Sequence, residues 1–200
     1  MFHPFLWDSG PLTDLGTLGG SDGIANVLND AGDVAGLATL AGDEVHHAFF
    51  WRKGVMNDLG TIGNDPCSVA HGINANGLVV GTSTDCFGTE LHGFLWEPGK
   101  LMIDLNSFVP PASDLVVVDG ETINDRGEIA GDGLLPNGDF HAILLVPCGS
   151  DVSEDDGCLD GTAIAANGSG QAAQRGEQRQ SPTKPFMWRQ KLFGPRSRMY

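Results

Sequence analysis

A block of five residues that begins with histidine recurs four times in this chain, at intervals of 44 to 49 residues. The first three copies end in tryptophan, and the fourth is weaker. The copies are residues 3–7, 47–51, 92–96 and 141–145. A recurrence at this interval predicts a chain built from repeated structural units, and it limits the fold more than any other feature of the sequence.

Two further blocks follow the histidine block in a fixed order. One has the pattern Asp-Leu-Gly-Thr; it begins at Asp14 and Asp58, and a degraded form begins at Asp104. The other has the pattern Asn-x-x-Gly-x-x-x-Gly and begins at Asn29, Asn74 and Asn124. Asparagine and glycine tolerate the positive φ angles of tight turns, so this last block predicts a turn between two strands.

The sequence of each repeat unit predicts four short strands. In residues 47–51, His47, Phe49 and Trp51 alternate with Ala48 and Phe50. A period of two indicates a strand, and its two largely apolar faces are typical of a sheet packed between neighbours. The second position of the block is small or compact in every copy: Pro4, Ala48, Gly93 and Ala142. This pattern predicts that the next unit approaches closely at that position.

Four strands in about 45 residues are typical of one β-propeller blade. We therefore expect an all-β repeat domain over residues 1–148, a propeller-like array of about three four-stranded units plus one strand. The predicted units cover residues 3–46, 47–91 and 92–140, and the final strand covers 141–146. A closed ring needs at least about four blades. Three alternatives therefore stay open: a C-terminal portion of a longer repeat protein, an open stack, or assembly with another chain.

Charge divides the chain into two parts. Residues 1–160 carry a net charge of −21, whereas residues 161–200 carry +6 and contain few large apolar side chains before residue 183. Such a composition predicts a disordered basic tail over 161–200. Because phosphate contacts need clustered lysine and arginine, the acidic repeat domain argues against nucleic-acid binding. No window approaches the ~20 uncharged apolar residues of a membrane-spanning helix.

The four cysteines contain no CxxC pair, which argues against a zinc ribbon or a thioredoxin-type site. Cys67 and Cys86 flank two strands of one predicted hairpin, so its register brings them together. Cys148 and Cys158 bracket an acidic loop over residues 149–160 and are predicted to pair with each other. Two disulfides indicate an oxidising compartment. The first residues lack the features of a signal peptide, so secretion would need an upstream segment.

The polar and aromatic residues that recur with the repeat are predicted to be structural, because a catalytic group is normally unique. The histidines, expected to hydrogen-bond a neighbouring unit, are His3, His47, His92 and His141. The aspartates, expected to bind backbone N–H groups of their own turns, are Asp14, Asp58 and Asp104. The tryptophans are Trp7, Trp51 and Trp96. His71 and the acids near Asp114 and Asp119 break the repeat, but we predict no catalytic residue, cofactor or metal ligand.

The blocks at residues 47–51, 58–63 and 72–81 together resemble the HAF repeat of bacterial probable extracellular repeat proteins. The resemblance covers residues 3–148 and implies a secreted β protein built from repeats, with no catalytic residues to transfer. The chain departs from the pattern in its third unit, where the second block is degraded and Pro110 and Pro111 are inserted.

These observations predict a non-enzymatic extracellular protein with a structural role, or one that binds a protein or glycan through the loops between its strands. A hydrolase or lyase on a propeller scaffold is the first alternative, since a fold does not determine a function. A truncated fragment without a function of its own is the second. No transmembrane segment and no nucleic-acid partner are expected.

Overall fold

The computed structural model of the protein describes residues 1–110, 113–148 and 187–192, and within them the fold is all-β. An N-terminal hairpin contains β1 (Phe5–Leu6) and β2 (Thr13–Asp14). The first four-stranded sheet contains β3 (Gly19–Leu28), β4 (Val34–Leu40), β5 (His46–Arg52) and β6 (Val55–Asp58). The second contains β7 (Cys67–Ile73), β8 (Val79–Thr84), β9 (Leu91–Trp96) and β10 (Ile103–Asp104). The third contains β11 (Val116–Ile123), β12 (Ile129–Leu134), β13 (Phe140–Cys148) and β14 (Met187–Leu192).

Every pairing within these sheets is antiparallel and joins neighbouring strands in chain order. A 3-10 helix, η1 (Leu105–Phe108), follows β10. β14 lies inside the range predicted to be a disordered tail; there the structure instead places a strand that pairs with β13. The prediction of disorder rested on composition. A short segment can nevertheless be ordered by backbone hydrogen bonds to the edge of an existing sheet, and amino-acid composition gives no information on such pairing. Within the described residues, no helix is long and apolar enough to cross a membrane.

The sheets are offset by half a unit from the repeats of the sequence. The first sheet combines β3 and β4, from the predicted unit 3–46, with β5 and β6, from the unit 47–91. The second and third sheets likewise begin with the Asn-x-x-Gly hairpin and continue with the next histidine block. The predicted final strand, 141–146, lies within β13 and is the third strand of its sheet.

The hydrophobic core consists of three layers, each between two successive sheets. The N-terminal hairpin packs on the first sheet through Leu15, Phe49 and Trp51. The first and second sheets meet at a cluster that includes Ala48, Phe50 and Phe94. The second and third sheets meet at Leu95, Val117, Ile143 and their neighbours. The alternation predicted for residues 47–51 is therefore confirmed, because Phe49 and Phe50 face different layers.

The Asn-x-x-Gly block explains how the hairpins of successive sheets are joined. In each copy the asparagine Oδ1 accepts hydrogen bonds from two backbone N–H groups of its own turn. The side-chain amide of Asn29 donates to the carbonyl oxygen of Asn74 at 2.9 Å. That of Asn74 donates to the carbonyl oxygen of Asn124 at 3.1 Å. One residue type therefore both closes the turn and links it to the next sheet.

Gly93 occupies the small position of the histidine block, against the third sheet. A Cβ atom there would lie 3.0 Å from Cγ1 of Val117 and 3.2 Å from backbone atoms of Asp119. Gly93→Leu is expected to destabilise the protein by about 1–3 kcal/mol, because the extra atoms must displace β11. The measurement is the melting temperature, with Gly10→Leu as control, since no atom lies closer than 3.5 Å to a Cβ at Gly10. An unchanged melting temperature for Gly93→Leu would contradict this packing.

The predicted disulfide between Cys67 and Cys86 is confirmed, with a Cα–Cα distance of 5.1 Å. It joins the first residue of β7 to the loop that follows β8, across one hairpin. Cys148 is the last residue of β13, but its predicted pairing with Cys158 lies outside the described residues.

Reduction of the Cys67–Cys86 disulfide is expected to lower the free energy of unfolding by roughly 3 kcal/mol, because the closed loop restricts the unfolded chain. The measurement is denaturant unfolding with and without a phosphine reductant. The double variant Cys148→Ala/Cys158→Ala isolates the effect of this bond. If the reductant left the unfolding midpoint of the double variant unchanged, the predicted contribution would be wrong.

Candidate functional site

The first strand of each four-stranded sheet contains a β-bulge at the same repeat position. The pairing register jumps from Ala25 to Val27 in β3, from Ala70 to Gly72 in β7 and from Gly120 to Thr122 in β11. The skipped residues are Asn26, His71 and Glu121. A bulge changes the direction of a side chain and is frequent beside functional sites. The three bulges therefore share one backbone geometry, but each presents a different polar side chain.

His71 meets Asp119 between the second and third sheets. Nδ1 of His71 lies 2.9 Å from Oδ1 of Asp119, and the hydroxyl of Thr82 donates to the same oxygen at 2.5 Å. Glu121 shares a hydrogen bond with the Asp119 carboxylate. The group therefore contains one imidazole and two carboxyl groups, contributed by β7 and β11.

The environment changes the pKa of each of these groups. Burial acts to raise the pKa of Asp119, but hydrogen bonds from His71 and Thr82 outweigh it, and the pKa is lowered. The pKa of Glu121 is raised, because it hydrogen-bonds and faces the negative charge of Asp119. The hydrogen bond to Asp119 raises the pKa of His71 against the opposing effect of burial. Asp119 is therefore the group that stays ionised, and Glu121 is the one that more readily keeps a proton.

His71, Thr82 and Asp119 line a pocket of about 320 Å³ between the second and third sheets, which we call the inter-sheet pocket. Its polar lining includes His71, Thr82, Asp119 and Asp132. Its apolar lining includes Val69, Leu91, Val118 and Phe140. Asp132 lies on β12 as the pairing partner of Asp119, so the pocket contains two carboxylates on adjacent strands.

The histidines and aspartates of the repeat blocks pair with each other. Nδ1 of His3 lies 2.8 Å from Asp14, and Nδ1 of His47 lies 2.8 Å from Asp58. The partner was expected in a neighbouring unit, but in these two copies it belongs to the same unit. The reason is that the two blocks form adjacent antiparallel strands, which places both residues side by side.

The third and fourth copies differ from the first two. His92 contacts Asp65 at 2.8 Å instead of Asp104. Asp104 caps η1 by accepting a hydrogen bond from the N–H of Asn106. His141 lies on β13 opposite Gly133. The second block of the third unit departs from the repeat pattern because a 3-10 helix, η1, follows its aspartate, Asp104.

The expected bonds between the repeat aspartates and their own turns are present. Asp14, Asp58 and Asp104 accept from the N–H groups of Gly16, Gly60 and Asn106, each at 2.8 Å. Trp51 and Trp96 are buried at 7% exposure, whereas Trp7 is 68% exposed. Trp7 differs because its hairpin has only two strands, so its sheet has no counterpart of β3 and β4.

His71 and Asp119 are recognisable in the sequence because they break the repeat, whereas Glu121, Thr82, Asp132 and Phe140 are not among the residues predicted from it. Alignment of the repeat copies indicates two of the pocket residues. Position 82 corresponds to Leu37 in the first copy, and Asp119 corresponds to Ile24. A polar residue in place of an apolar one therefore marks Thr82 and Asp119. Asp114, which the sequence grouped with Asp119, lies in the segment before β11 and does not line the pocket.

No protein-family model matches this chain, and searches of curated proteins and of solved structures gave no match. A functional assignment therefore depends on the chemistry of the inter-sheet pocket, which is lined by an imidazole, two carboxyl groups and an exposed aromatic ring, with the carboxyl group of Glu121 close to His71 and Asp119.

Proposed function

We propose that this chain is a non-enzymatic extracellular repeat protein that binds a glycan in the inter-sheet pocket. The observation that carries the proposal is the lining of that pocket, where the carboxylates of Asp119 and Asp132 lie near the ring of Phe140. Carboxylates accept hydrogen bonds from sugar hydroxyls, and an aromatic ring packs against the apolar C–H face of a sugar. The Phe140 side chain is 64% exposed, which leaves its ring accessible to a ligand.

The size of the pocket supports a small ligand. Its volume of about 320 Å³ lies near the lower end of the range of roughly 300–1,000 Å³ for small-molecule sites. Apolar walls with a few polar groups are also typical of such sites, because the polar groups fix the orientation of the ligand. A pocket of this size suits one terminal sugar better than a protein surface.

Fold and location belong to the same proposal. Small antiparallel sheets packed in sequence support a propeller-like array, and the repeated blocks support relation to the HAF repeat. The disulfide between Cys67 and Cys86 is compatible with an oxidising, extracellular location. A pocket between two successive sheets fits this arrangement, because it is lined by strands of both sheets.

A hydrolase or lyase is the second candidate. It is favoured by Asp119 and Glu121, whose pKa values are shifted in opposite directions, as in pairs that divide acid and base roles. However, the ligand atoms of His71, Asp119 and Glu121 all lie within 4.8 Å of one another. The two carboxyl groups of glycosidases stand farther apart, at about 5–9.5 Å, so that substrate or water fits between them. This spacing favours binding over glycoside hydrolysis.

The test is a glycan array probed with the purified chain and three variants. Wild type is expected to retain at least one class of glycan, and Phe140→Ala and Asp132→Asn are expected to lose at least tenfold in affinity. Trp7→Ala is the matched control, because it removes an exposed aromatic ring far along the chain from the pocket. Retention of no glycan, or equal retention by all variants, would contradict the proposal. Turnover of a glycosidase, esterase or lyase substrate that disappears in His71→Ala would favour the second candidate instead.

A further inference from the structure

We propose that His71, Asp119 and Glu121 form a binding site for a divalent transition-metal ion, for which Zn²⁺ is the best-fitting probe. His71 and Asp119 line the inter-sheet pocket and Glu121 lies beside them, so this inference rests on the proposed glycan-binding function and extends it. It rests on the same pocket, but its geometry does not depend on the identity of the glycan.

The three side chains are close enough to share one ion. Each offers one ligand atom, and these atoms all lie within 4.8 Å of one another. A tetrahedral Zn²⁺ with ligands at about 2.1 Å places its ligand atoms about 3.4 Å apart. Nδ1 of His71 and Oδ1 of Asp119 are already at 2.9 Å. Small side-chain rotations therefore convert the existing contacts into a coordination sphere.

The chemical types of the three ligand atoms indicate which class of metal ion the site would bind. Imidazole nitrogen and carboxylate oxygen are both ligand types that zinc accepts, and three protein ligands are the number found in zinc sites that keep an open position. Ca²⁺ is bound by oxygen ligands alone, so the imidazole disfavours it. Two carboxylates also compensate the charge of a divalent ion inside a partly buried pocket, where an uncompensated charge would be costly.

The surrounding structure holds these ligands in place. His71 and Glu121 occupy equivalent bulges on two neighbouring sheets, so each is held between paired residues of a strand rather than in a loop. The hydroxyl of Thr82 donates to Asp119 and orients its carboxylate, which is the role of an outer-shell partner in metal sites. Asp132 adds a further negative charge to the same pocket.

Three protein ligands leave at least one coordination position for a molecule in the inter-sheet pocket. A sugar hydroxyl or water is the chemically suitable occupant, because hard oxygen donors bind such ions alongside imidazole and carboxylate. Asp119 and Glu121 would then bind a glycan through the ion, whereas Phe140 and Asp132 would contact it directly.

The test is calorimetric titration of Zn²⁺ into the metal-stripped full-length chain, with Ca²⁺ titrated in parallel. Wild type is expected to bind one Zn²⁺ in this site and to bind it more tightly than Ca²⁺. Glu121→Gln and His71→Gln are each expected to weaken Zn²⁺ binding at least tenfold. His47→Gln is the matched control, since His47 also contacts an aspartate, Asp58, but belongs to no three-residue cluster among the described residues. Glu121 is exposed, so Glu121→Gln is expected to fold, which thermal melting verifies.

Absence of Zn²⁺ binding by wild type, or unchanged affinity in Glu121→Gln, would overturn the inference. So would tighter binding of Ca²⁺ than of Zn²⁺. The glycan array repeated with Zn²⁺ and with a chelator separates this inference from the proposed function. Glycan binding without Zn²⁺ binding would overturn the metal site alone, whereas Zn²⁺ binding that depends on Glu121 without any glycan binding would support the site and contradict the function.

Discussion

Gly81→Ala is expected to lower the free energy of unfolding by on the order of 4 kcal/mol, which is near the upper limit for a single substitution. A Cβ atom at Gly81 would lie 2.0 Å from the carbonyl oxygen of Val69 and 2.9 Å from Cε1 of Phe94. Neither neighbour can move easily, because Val69 belongs to the paired strand β7 and Phe94 is completely buried. The sheet must open or β7 must shift, and both outcomes disrupt two core layers.

The same close approach occurs in every copy of the repeat. At Gly36 the Cβ would lie 1.9 Å from the carbonyl oxygen of Ile24, and at Gly131 it would lie 2.0 Å from that of Asp119. Each of these carbonyls precedes a bulge, so the second glycine of the Asn-x-x-Gly-x-x-x-Gly block and the bulge form one structural feature. A side chain at Gly81 would collide with the carbonyl of Val69, so we expect this substitution to disturb the bulge that contains His71.

Chemical denaturation followed by circular dichroism measures the effect. Gly10→Ala is the matched control, because the nearest atom to its Cβ would be the carbonyl oxygen of Asp8 at 3.5 Å, an ordinary contact. Stability of Gly81→Ala within about 0.5 kcal/mol of wild type, the range of neutral surface changes, would contradict the described register of β7 and β8.

Trp96→Ala is expected to cost about 3–5 kcal/mol, as large-to-small changes of buried aromatic residues do. Trp96 is 7% exposed, and its ring centroid lies 5.2 Å from that of Phe50 in the layer between the first and second sheets. Trp7 holds the same position of the histidine block but is 68% exposed. Trp7→Ala is therefore expected to change stability by less than about 1 kcal/mol, because little buried area is lost.

The two tryptophan variants test the stacking of sheets within one experiment. Equal effects of Trp96→Ala and Trp7→Ala on the unfolding midpoint would contradict the arrangement, since repeat position alone would then decide stability. A large effect confined to Trp96→Ala would support core layers that lie between successive sheets.

Much of the fold could be predicted because it repeats. Alternation in residues 47–51 specified the two faces of a strand, and the spacing of Cys67 and Cys86 specified a disulfide across one hairpin. The offset of the sheets could not be predicted in this way. A repeating series of strands has the same periodicity whichever strand begins each sheet. The first strand of a sheet is determined by the hydrogen bonds between strands, and these cannot be read from the periodicity of the sequence.

The candidate site was only partly predictable, for a different physical reason. His71 and Asp119 differ from their repeat equivalents, which identifies them as exceptions. Glu121 resembles any solvent-exposed acid in a strand, and only the structure shows that it and Asp119 approach His71 of the neighbouring sheet. A bulge changes the direction of one side chain but leaves no mark on the composition of the strand. The contacts of His71 with the neighbouring sheet are therefore visible only in the structure.

Hydrogen–deuterium exchange with a glycan retained on the array tests most directly whether the inter-sheet pocket binds it, because the exchange locates the bound glycan. Added protection is expected for backbone amides in β7, β8 and β11 around the pocket-lining residues Val69, His71, Thr82, Thr84, Val118 and Asp119. Protection confined to the turns that begin at Asn29, Asn74 and Asn124 would contradict it and would place binding on the loops between strands instead.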